Sequence, residues 1–126
     1  MASSEPSLPL RDILESISKI EMFVFGFDFD AFATDEKTIA AVERKLQVIT
    51  EAAIRLGDRA EALCPGIAWR NIRGMRNWLR HQYDRVDLET VWITITVDIP
   101  TLKAAVQQAL INLPAQSADC ATTGSQ

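Results

Sequence analysis

The chain has 126 residues, of which 48% are hydrophobic and 24% are charged, and its formal net charge is −4 at neutral pH. The length fits one domain with a single modest core, and the composition is that of an ordinary globular protein. The negative charge argues against indiscriminate nucleic-acid binding, which needs a broadly basic surface, but it allows a local basic groove.

The N-terminal residues and the cysteines predict a cytoplasmic protein. Residues 1–11 contain no basic start followed by an apolar stretch, so we expect no signal peptide. The longest apolar run, Met22 to Phe27, is too short to span a bilayer, so we expect no membrane association. Cys64 and Cys120 form neither a disulfide framework nor a CxxC pair, which predicts a reducing compartment. With a single histidine, they also make a metal site improbable.

The first half of the chain predicts two amphipathic helices. Apolar residues recur at spacings of three and four from Leu10 to Val24, and Gly26 should end this first helix. Residues 27–33 are an aromatic-rich connector. Thr34 or Asp35 can cap the second helix, and Gly57 is a plausible stop, although residues 58–63 could extend it by a turn or two. Its apolar seam comprises Ile39, Val42, Leu46, Ile49, Ala53 and Leu56.

The second half predicts two further helices. Pro65-Gly66 separates the second helix from a third, which runs from about Ile67 into an arginine- and histidine-containing segment. Asp87 is a good cap for the fourth helix, and Pro100 should kink it or split it in two. Residues 91–97 are rich in β-branched side chains, which is also typical of a strand. The spacing of apolar residues by three and four on either side favours a helix. The apolar side comprises Val91, Ile95, Ile99, Leu102, Val106, Ala109 and Leu113.

These elements predict an all-α protein, an antiparallel four-helix bundle whose fourth helix is kinked or split at Pro100. We expect residues 1–9 to form a flexible N-terminus and residues 10–113 to form the helical domain. Residues 114–126 are small and polar, and should be a disordered tail.

The third helix carries most of the residues that are suited to chemistry. It contains no acid between Trp69 and Tyr83, and it holds the only histidine, His81, and the only tyrosine, Tyr83. On a helical wheel the apolar arc comprises Ile67, Ala68, Ile72, Met75, Trp78 and Leu79. Asn71 is the one polar residue that falls toward that arc. The opposite, polar arc comprises Trp69, Arg70, Arg73, Arg76, Asn77, Arg80, His81 and Tyr83. Cations around one group that titrates near neutral pH suit chemistry on a phosphodiester.

Each of these features also has a plainer explanation. The arginines could form a solvated face, His81 could lie near a helix C-terminus, and Tyr83 could be an aromatic at the edge of the core. The absence of acids favours a functional face, because solvated faces usually mix both signs. Elsewhere, Glu51 and Arg55 fit a surface ion pair better than an active-site support. The phenylalanines at 23, 25, 27, 29 and 32 fit a hydrophobic clamp at the end of the bundle or at a dimer edge better than a base-stacking platform, because Asp28 and Asp30 would repel a nucleic acid.

The order of these residues resembles the HEPN superfamily, and in particular its HepT-like ribonuclease toxins. The signature is Arg76-x4-His81-x-Tyr83 with the polar Asn77 directly after the arginine. The resemblance extends over roughly residues 10–110 and includes Val42-Glu43-Arg44, residues 49–53 with Leu56, residues 69–77, Val86-Asp87, Val91-Trp92, and residues 98–100 with Leu102.

The resemblance implies an all-α homodimer in which the Arg-x4-His motifs of the two copies face each other and form one metal-independent RNA-cleaving site without a cofactor. It also implies a partner, an MntA-like nucleotidyltransferase antitoxin that transfers AMP from ATP to the tyrosine, here Tyr83. Arg76 and His81 would then be catalytic, and Asn77 would support them. Arg73 and Arg80 would hold the flanking RNA backbone. DNA lacks the attacking 2′-OH and could not be cut in this way.

Two other functions compete with a toxin endoribonuclease. The chain could be a non-catalytic HEPN-type module that pairs with a nucleotidyltransferase and positions its substrate, with Arg76 and His81 binding phosphate only. It could also be a structural bundle whose basic face contacts an acidic partner. The pairing of arginine, polar residue and histidine favours the enzyme, because a scaffold has no need for a histidine at that position.

Overall fold

The computed structural model of the chain describes residues 5–79 and 85–113, apart from the side chains of residues 85–87. Within these ranges all regular structure is helical, which confirms the all-α prediction. The elements are α1 (Ser7–Val24), α2 (Phe29–Ala33), α3 (Glu36–Leu56), α4 (Asp58–Leu63), α5 (Trp69–Leu79), α6 (Arg85–Ile93), a π-helical turn (Thr94–Asp98) and α7 (Ile99–Asn112).

The prediction for the first helix is confirmed, but the connector after it is not entirely irregular. Gly26 ends the helical region with a φ of +80°, a conformation that a residue with a Cβ rarely adopts. Residues 29–33 then form the short helix α2 in place of the predicted connector. A helix of five residues is too short to show an apolar period in the sequence. It is held by its N-cap, where the Asp28 carboxylate accepts a hydrogen bond from the Ala31 N–H at 2.9 Å.

The second predicted helix is α3, and both of its predicted ends are confirmed. Asp35 is the cap, and its carboxylate accepts a hydrogen bond from the Thr38 N–H at 3.1 Å. Gly57 has a φ of +56°, and its N–H donates to the carbonyls of Ala53 and Ile54. Residues 58–63 are therefore a separate short helix, α4, and not a continuation of α3.

The third helix begins at Trp69, and the wheel assigned that residue to the wrong face. Trp69 is only 1% exposed, whereas the wheel had assigned it to the polar arc. Its indole Nε1 donates to the Cys64 carbonyl at 3.0 Å, so the loop before α5 supplies the partner that a buried indole needs. Of the predicted apolar arc, Ile72, Met75 and Leu79 are buried, while Ala68 is exposed.

The fourth predicted helix is split, as expected, and the split takes the form of a π turn. Pro100 lies in the first turn of α7, directly after the turn at residues 94–98. Proline has no N–H and its ring crowds the carbonyl four residues earlier, so a wider turn relieves the conflict. Residues 91–97 are helical throughout, which excludes the strand alternative. Asp87 is not a cap, because α6 begins earlier, at Arg85.

The core forms where α1 and α5 pack against α3 and where α7 packs against α1. The aromatic clamp is confirmed in part: the rings of Phe32 and Phe29 contact Trp92, with centroids 5.2 and 6.3 Å apart, whereas Phe25 is 87% exposed. Among the described residues, no helix is long and apolar enough to cross a membrane. The antiparallel order of all four helices stays a prediction.

One buried polar atom of the described core region has no partner. The Glu43 Oε2 on α3 is buried and makes no hydrogen bond. Burial raises the pKa of the Glu43 carboxyl because the charged form loses water without gaining a donor. The folded state therefore favours the protonated form, and ionisation of Glu43 costs stability as the pH rises from the unfolded pKa through the folded pKa.

We expect Glu43→Gln to raise the free energy of unfolding at pH 7 by up to about 1 kcal/mol, because a neutral amide has a smaller desolvation cost. The gain should shrink as the pH falls to about 3, where the wild-type carboxyl is also neutral in both states. Urea titrations at both pH values measure it, with Glu15→Gln on the exposed face of α1 as the matched control. A variant less stable than the wild type at pH 7 would contradict this account.

Candidate active site

The helix that carries the candidate residues, α5, packs against α3. The Thr50 Oγ1 donates to the Ile72 carbonyl at 3.3 Å. The Arg73 Nε and Nη2 donate to the carbonyls of Ala53 and Gly57 at 3.4 and 2.8 Å. Because Thr50 is buried within an otherwise apolar seam, its hydroxyl needs this partner, and the bond fixes the register of α5 on α3.

This register opens a groove of about 400 Å³ between the two helices. Arg76 lines it from α5, at the end of α5 that meets the middle of α3. The other lining residues are Gln47, Thr50, Glu51, Ile54, Arg55 and Leu79. Gln47 and Thr50 are not among the predicted site residues; the signal that could have identified Thr50 is a hydroxyl directly beside the apolar seam of α3.

Arg76 is the described candidate whose guanidinium is available to a ligand. Its side chain is exposed, and no hydrogen bond or ion pair joins it to any residue of the described ranges. Asn77 and Arg70 are also exposed on α5. A guanidinium is always charged and offers donors in a planar fork, so a free one beside a groove suits a phosphate group.

Arg73 occupies a different environment from the one that the sequence predicted. Its guanidinium makes two bonds to the Glu61 carboxylate, at 2.9 and 3.0 Å, in addition to the two carbonyls at the end of α3. The hydrogen bond that Arg73 donates lowers the pKa of Glu61, and the acceptance of that bond by the Glu61 carboxylate raises the pKa of Arg73. All of the guanidinium nitrogens are thereby occupied, which argues against the predicted RNA-phosphate contact of Arg73.

The predicted Glu51–Arg55 ion pair is wrong. Arg55 Nη2 pairs instead with the Asp12 carboxylate of α1 at 2.6 Å. The sequence could not reveal this pair because Asp12 and Arg55 are 43 residues apart. Glu51 remains on the groove wall, exposed and opposite Arg76.

The remaining candidates lie outside the described residues. Arg80, His81 and Tyr83 follow the last described residue of α5, Leu79, so their predicted roles stay predictions. The structure places Arg76 and Asn77 near the end of α5, a few residues before those three in the sequence.

We expect Arg73→Ala to lower the free energy of unfolding by about 1–3 kcal/mol, because it leaves carbonyls at the end of α3 without a charged donor. Arg70→Ala is the matched control: this arginine lies on the same helix, is exposed, and has no partner in the described part of the chain. Its removal should change stability by less than about 0.5 kcal/mol. Thermal and urea unfolding measure both, and equal effects would contradict the structural role of Arg73.

Comparisons with known proteins identify the family. Residues 13–109 match the family model described as "Ribonuclease HepT-like". The "Probable ribonuclease HepT" of Thermococcus cleftensis is 39% identical over 99 residues, which cover 79% of this chain and 90% of that protein. Proteins provisionally named RNases occur in Methanocaldococcus jannaschii, 31% identical over 98 residues, and in Caldanaerobacter subterraneus, 32% identical over 101 residues. These alignments cover 78% and 80% of this chain and 90% of each relative. No solved structure gives a significant match. The chain belongs to the HepT-like ribonuclease family.

Proposed function

We propose that the protein is an endoribonuclease that cuts RNA without a metal ion, with Arg76 and His81 as its catalytic residues. The observation that carries the proposal is the exposed Arg76 guanidinium, which has no side-chain partner among the described residues and lies beside the groove between α3 and α5. The HepT-like family and the ribonuclease names of the relatives support the same reaction class.

The reaction uses the nucleophile that RNA itself supplies. The ribose 2′-oxygen attacks the adjacent phosphorus, a 2′-O–P bond forms, and the P–O5′ bond breaks. The products are a 2′,3′-cyclic phosphate and a 5′-hydroxyl. His81 moves the protons, since histidine is the side chain suited to accept and donate protons near neutral pH, while Arg76 stabilises the additional negative charge of the transition state. Asn77 orients the histidine or holds a phosphate oxygen, and Arg80 holds a flanking phosphate.

The proposal includes a homodimer with a composite site. Each chain supplies one Arg76 and one His81, which are few groups for two proton transfers and for charge stabilisation. Two motifs that face each other double these groups. Arg76 is exposed and has no partner among the described residues, as expected for a residue whose complement comes from a second chain.

We expect Arg76→Ala and His81→Ala each to lower the rate of RNA cleavage by at least about 100-fold, as is typical of lost acid–base or electrostatic catalysis. Stability should be nearly unchanged for Arg76→Ala because that side chain is exposed. Cleavage of a single-stranded oligonucleotide, followed on a gel, measures the rate. Arg70→Ala is the matched control for the loss of a cation from α5 and should retain at least about a third of the activity.

Four further experiments test the chemistry and the composite site. An oligonucleotide with 2′-deoxyribose at every position should not be cut, and EDTA should not inhibit the cleavage of RNA. Inhibition that a divalent ion reverses would reject the metal-free mechanism.

Mixed Arg76→Ala and His81→Ala chains should recover part of the activity. A wild-type chain that light scattering finds monomeric and that is fully active would reject the dimer.

We further propose that the protein is the toxin of a toxin–antitoxin pair and that Tyr83 is its off switch. A nucleotidyltransferase antitoxin would join the Tyr83 oxygen to the α-phosphorus of ATP and release pyrophosphate. The attached AMP would bring a fixed negative charge and a nucleoside close in sequence to Arg76 and Arg80, and RNA would be excluded by charge and by bulk. Tyr83 is the only tyrosine in the chain, so the modification has one possible phenolic acceptor.

We expect co-expression with a nucleotidyltransferase encoded beside this protein to add mass in AMP units to the peptide that contains Tyr83. Tyr83→Phe cannot accept AMP and, if it still arrests growth, should escape neutralisation. Intact-mass and peptide mass spectrometry measure the modification, and growth after induction measures the toxicity. Complete neutralisation with an unmodified Tyr83 would refute the switch and would favour an antitoxin that covers the groove.

A further inference from the structure

A second cavity lies on the other flank of α5 and is not used by the proposed mechanism. It has a volume of about 350 Å³ and lies between α5, the π-helical turn and the start of α7. Its walls combine an aromatic ring, aliphatic groups and polar groups, chiefly Asn71, Met75, Trp78, Thr94, Val97 and Asp98. A π-helical turn often marks a functional site, and this one forms a wall of the cavity.

The lining of this cavity has the chemistry that a nucleobase needs. Trp78 is partly buried against the core and offers its indole as a flat apolar surface. The Asn71 amide and the Asp98 carboxylate are exposed, and neither makes a side-chain hydrogen bond or ion pair with a described residue. Base stacking on an aromatic ring, combined with amide and carboxylate contacts to the base edge, is a common mode of single-strand recognition.

The surface of α5 between the two cavities carries a positive charge and has no side chain at its centre, where Gly74 lies. On the helical wheel Gly74 lies on the outer face of α5 with Arg70 and Asn77, between the Arg76 flank and the Trp78 flank. A Cβ added to Gly74 would meet nothing within 4 Å, so packing within this chain does not require a glycine there. Glycine is a poor helix former, and its place in mid-helix suits a surface that something else approaches closely.

We propose that the Trp78 cavity is a nucleobase subsite for the RNA whose phosphate is held at Arg76. The strand crosses α5 over Gly74. One base enters the cavity and stacks on Trp78. Asn71 and Asp98 contact its edge, and the carboxylate accepts a hydrogen bond from a base that carries an amino group. This inference rests on the proposed function, because it takes RNA as the ligand.

Other occupants fit the cavity less well. A phosphate would be repelled by the Asp98 carboxylate, and no arginine or lysine lines the described cavity. An apolar segment of a protein would leave the Asn71 amide and the Asp98 carboxylate without partners, which costs binding free energy. A nucleobase combines a flat ring with donors and acceptors on its edge, and it satisfies both parts of the lining.

The test measures the binding of a single-stranded RNA whose riboses are 2′-O-methylated, so that it cannot be cut. Fluorescence anisotropy gives the Kd of this oligonucleotide and of a series in which single positions are abasic. For the wild type we expect one abasic position to weaken binding about 5- to 100-fold, the usual contribution of one stacked base. Trp78→Ala should weaken binding of the intact RNA by a similar factor and should be insensitive to that abasic position. Trp78→Phe should bind the intact RNA nearly as tightly as the wild type and should remain sensitive to the abasic position.

A second arm separates base reading from stacking. Asp98→Asn should lower the preference for cytosine, adenine or guanine over uracil at the abasic-sensitive position, while leaving the stacking contribution intact. Ile111→Ala is the control, because this exposed aliphatic residue of α7 is absent from the lining of the cavity. It should change neither the Kd nor the base preference. If Trp78→Ala fails to give a helical circular dichroism spectrum, Trp78→Phe and Asp98→Asn still decide the question.

The outcomes distinguish this inference from the proposed function. A wild-type protein that does not cleave unmodified RNA but shows the Trp78-dependent abasic effect would refute the cleavage and retain the subsite. Equal abasic effects in the wild type and in Trp78→Ala would overturn the subsite even if RNA is cut. A change from dimer to monomer in Trp78→Ala, with the abasic effect unchanged, would identify the cavity as a protein–protein interface and would also overturn it.

Discussion

The register of α5 on α3 determines the position of every described candidate residue. It is fixed by a few polar contacts inside an otherwise apolar interface: the Thr50 hydroxyl binds the Ile72 carbonyl, and the Arg73 guanidinium binds the carbonyls at the end of α3. Apolar packing alone tolerates small shifts, whereas a buried hydroxyl or a guanidinium that loses its acceptors has a specific cost. A shift of α5 by one residue would break these bonds and turn Arg76 away from its groove.

The same register divides the arginines of α5 into different roles. Arg73 is used to join α3, α4 and α5, because Gly57 and Glu61 both lie within its reach. Arg76 lies one turn later, beside the middle of α3. There its guanidinium binds no acceptor among the described residues. Arg73, a structural cation, and Arg76, a cation that is available to a ligand, are thus only three positions apart on one helix. A net charge or a helical wheel cannot make this distinction.

The π-helical turn has a comparable effect on the other flank of α5. Pro100 disfavours a regular α-helix through this point, and the wider turn at residues 94–98 forms one wall of the cavity beside Trp78. The Thr94 and Thr96 hydroxyls bind the carbonyls four residues earlier at 2.8 and 2.7 Å and so satisfy groups that the irregular turn exposes.

The amino-acid sequence by itself determined the helices, most of their ends and the family. Apolar spacing, the Asp35 cap and the glycine at residue 57 act within a few residues, so local physics suffices to predict them. It also determined that Arg76 and Asn77 are exposed. Only the tertiary structure decided that Trp69 is buried, that Arg55 pairs with Asp12, and that Arg73 is occupied. These outcomes depend on which groups from distant parts of the chain come within bonding distance, and helical periodicity contains no information about distant partners.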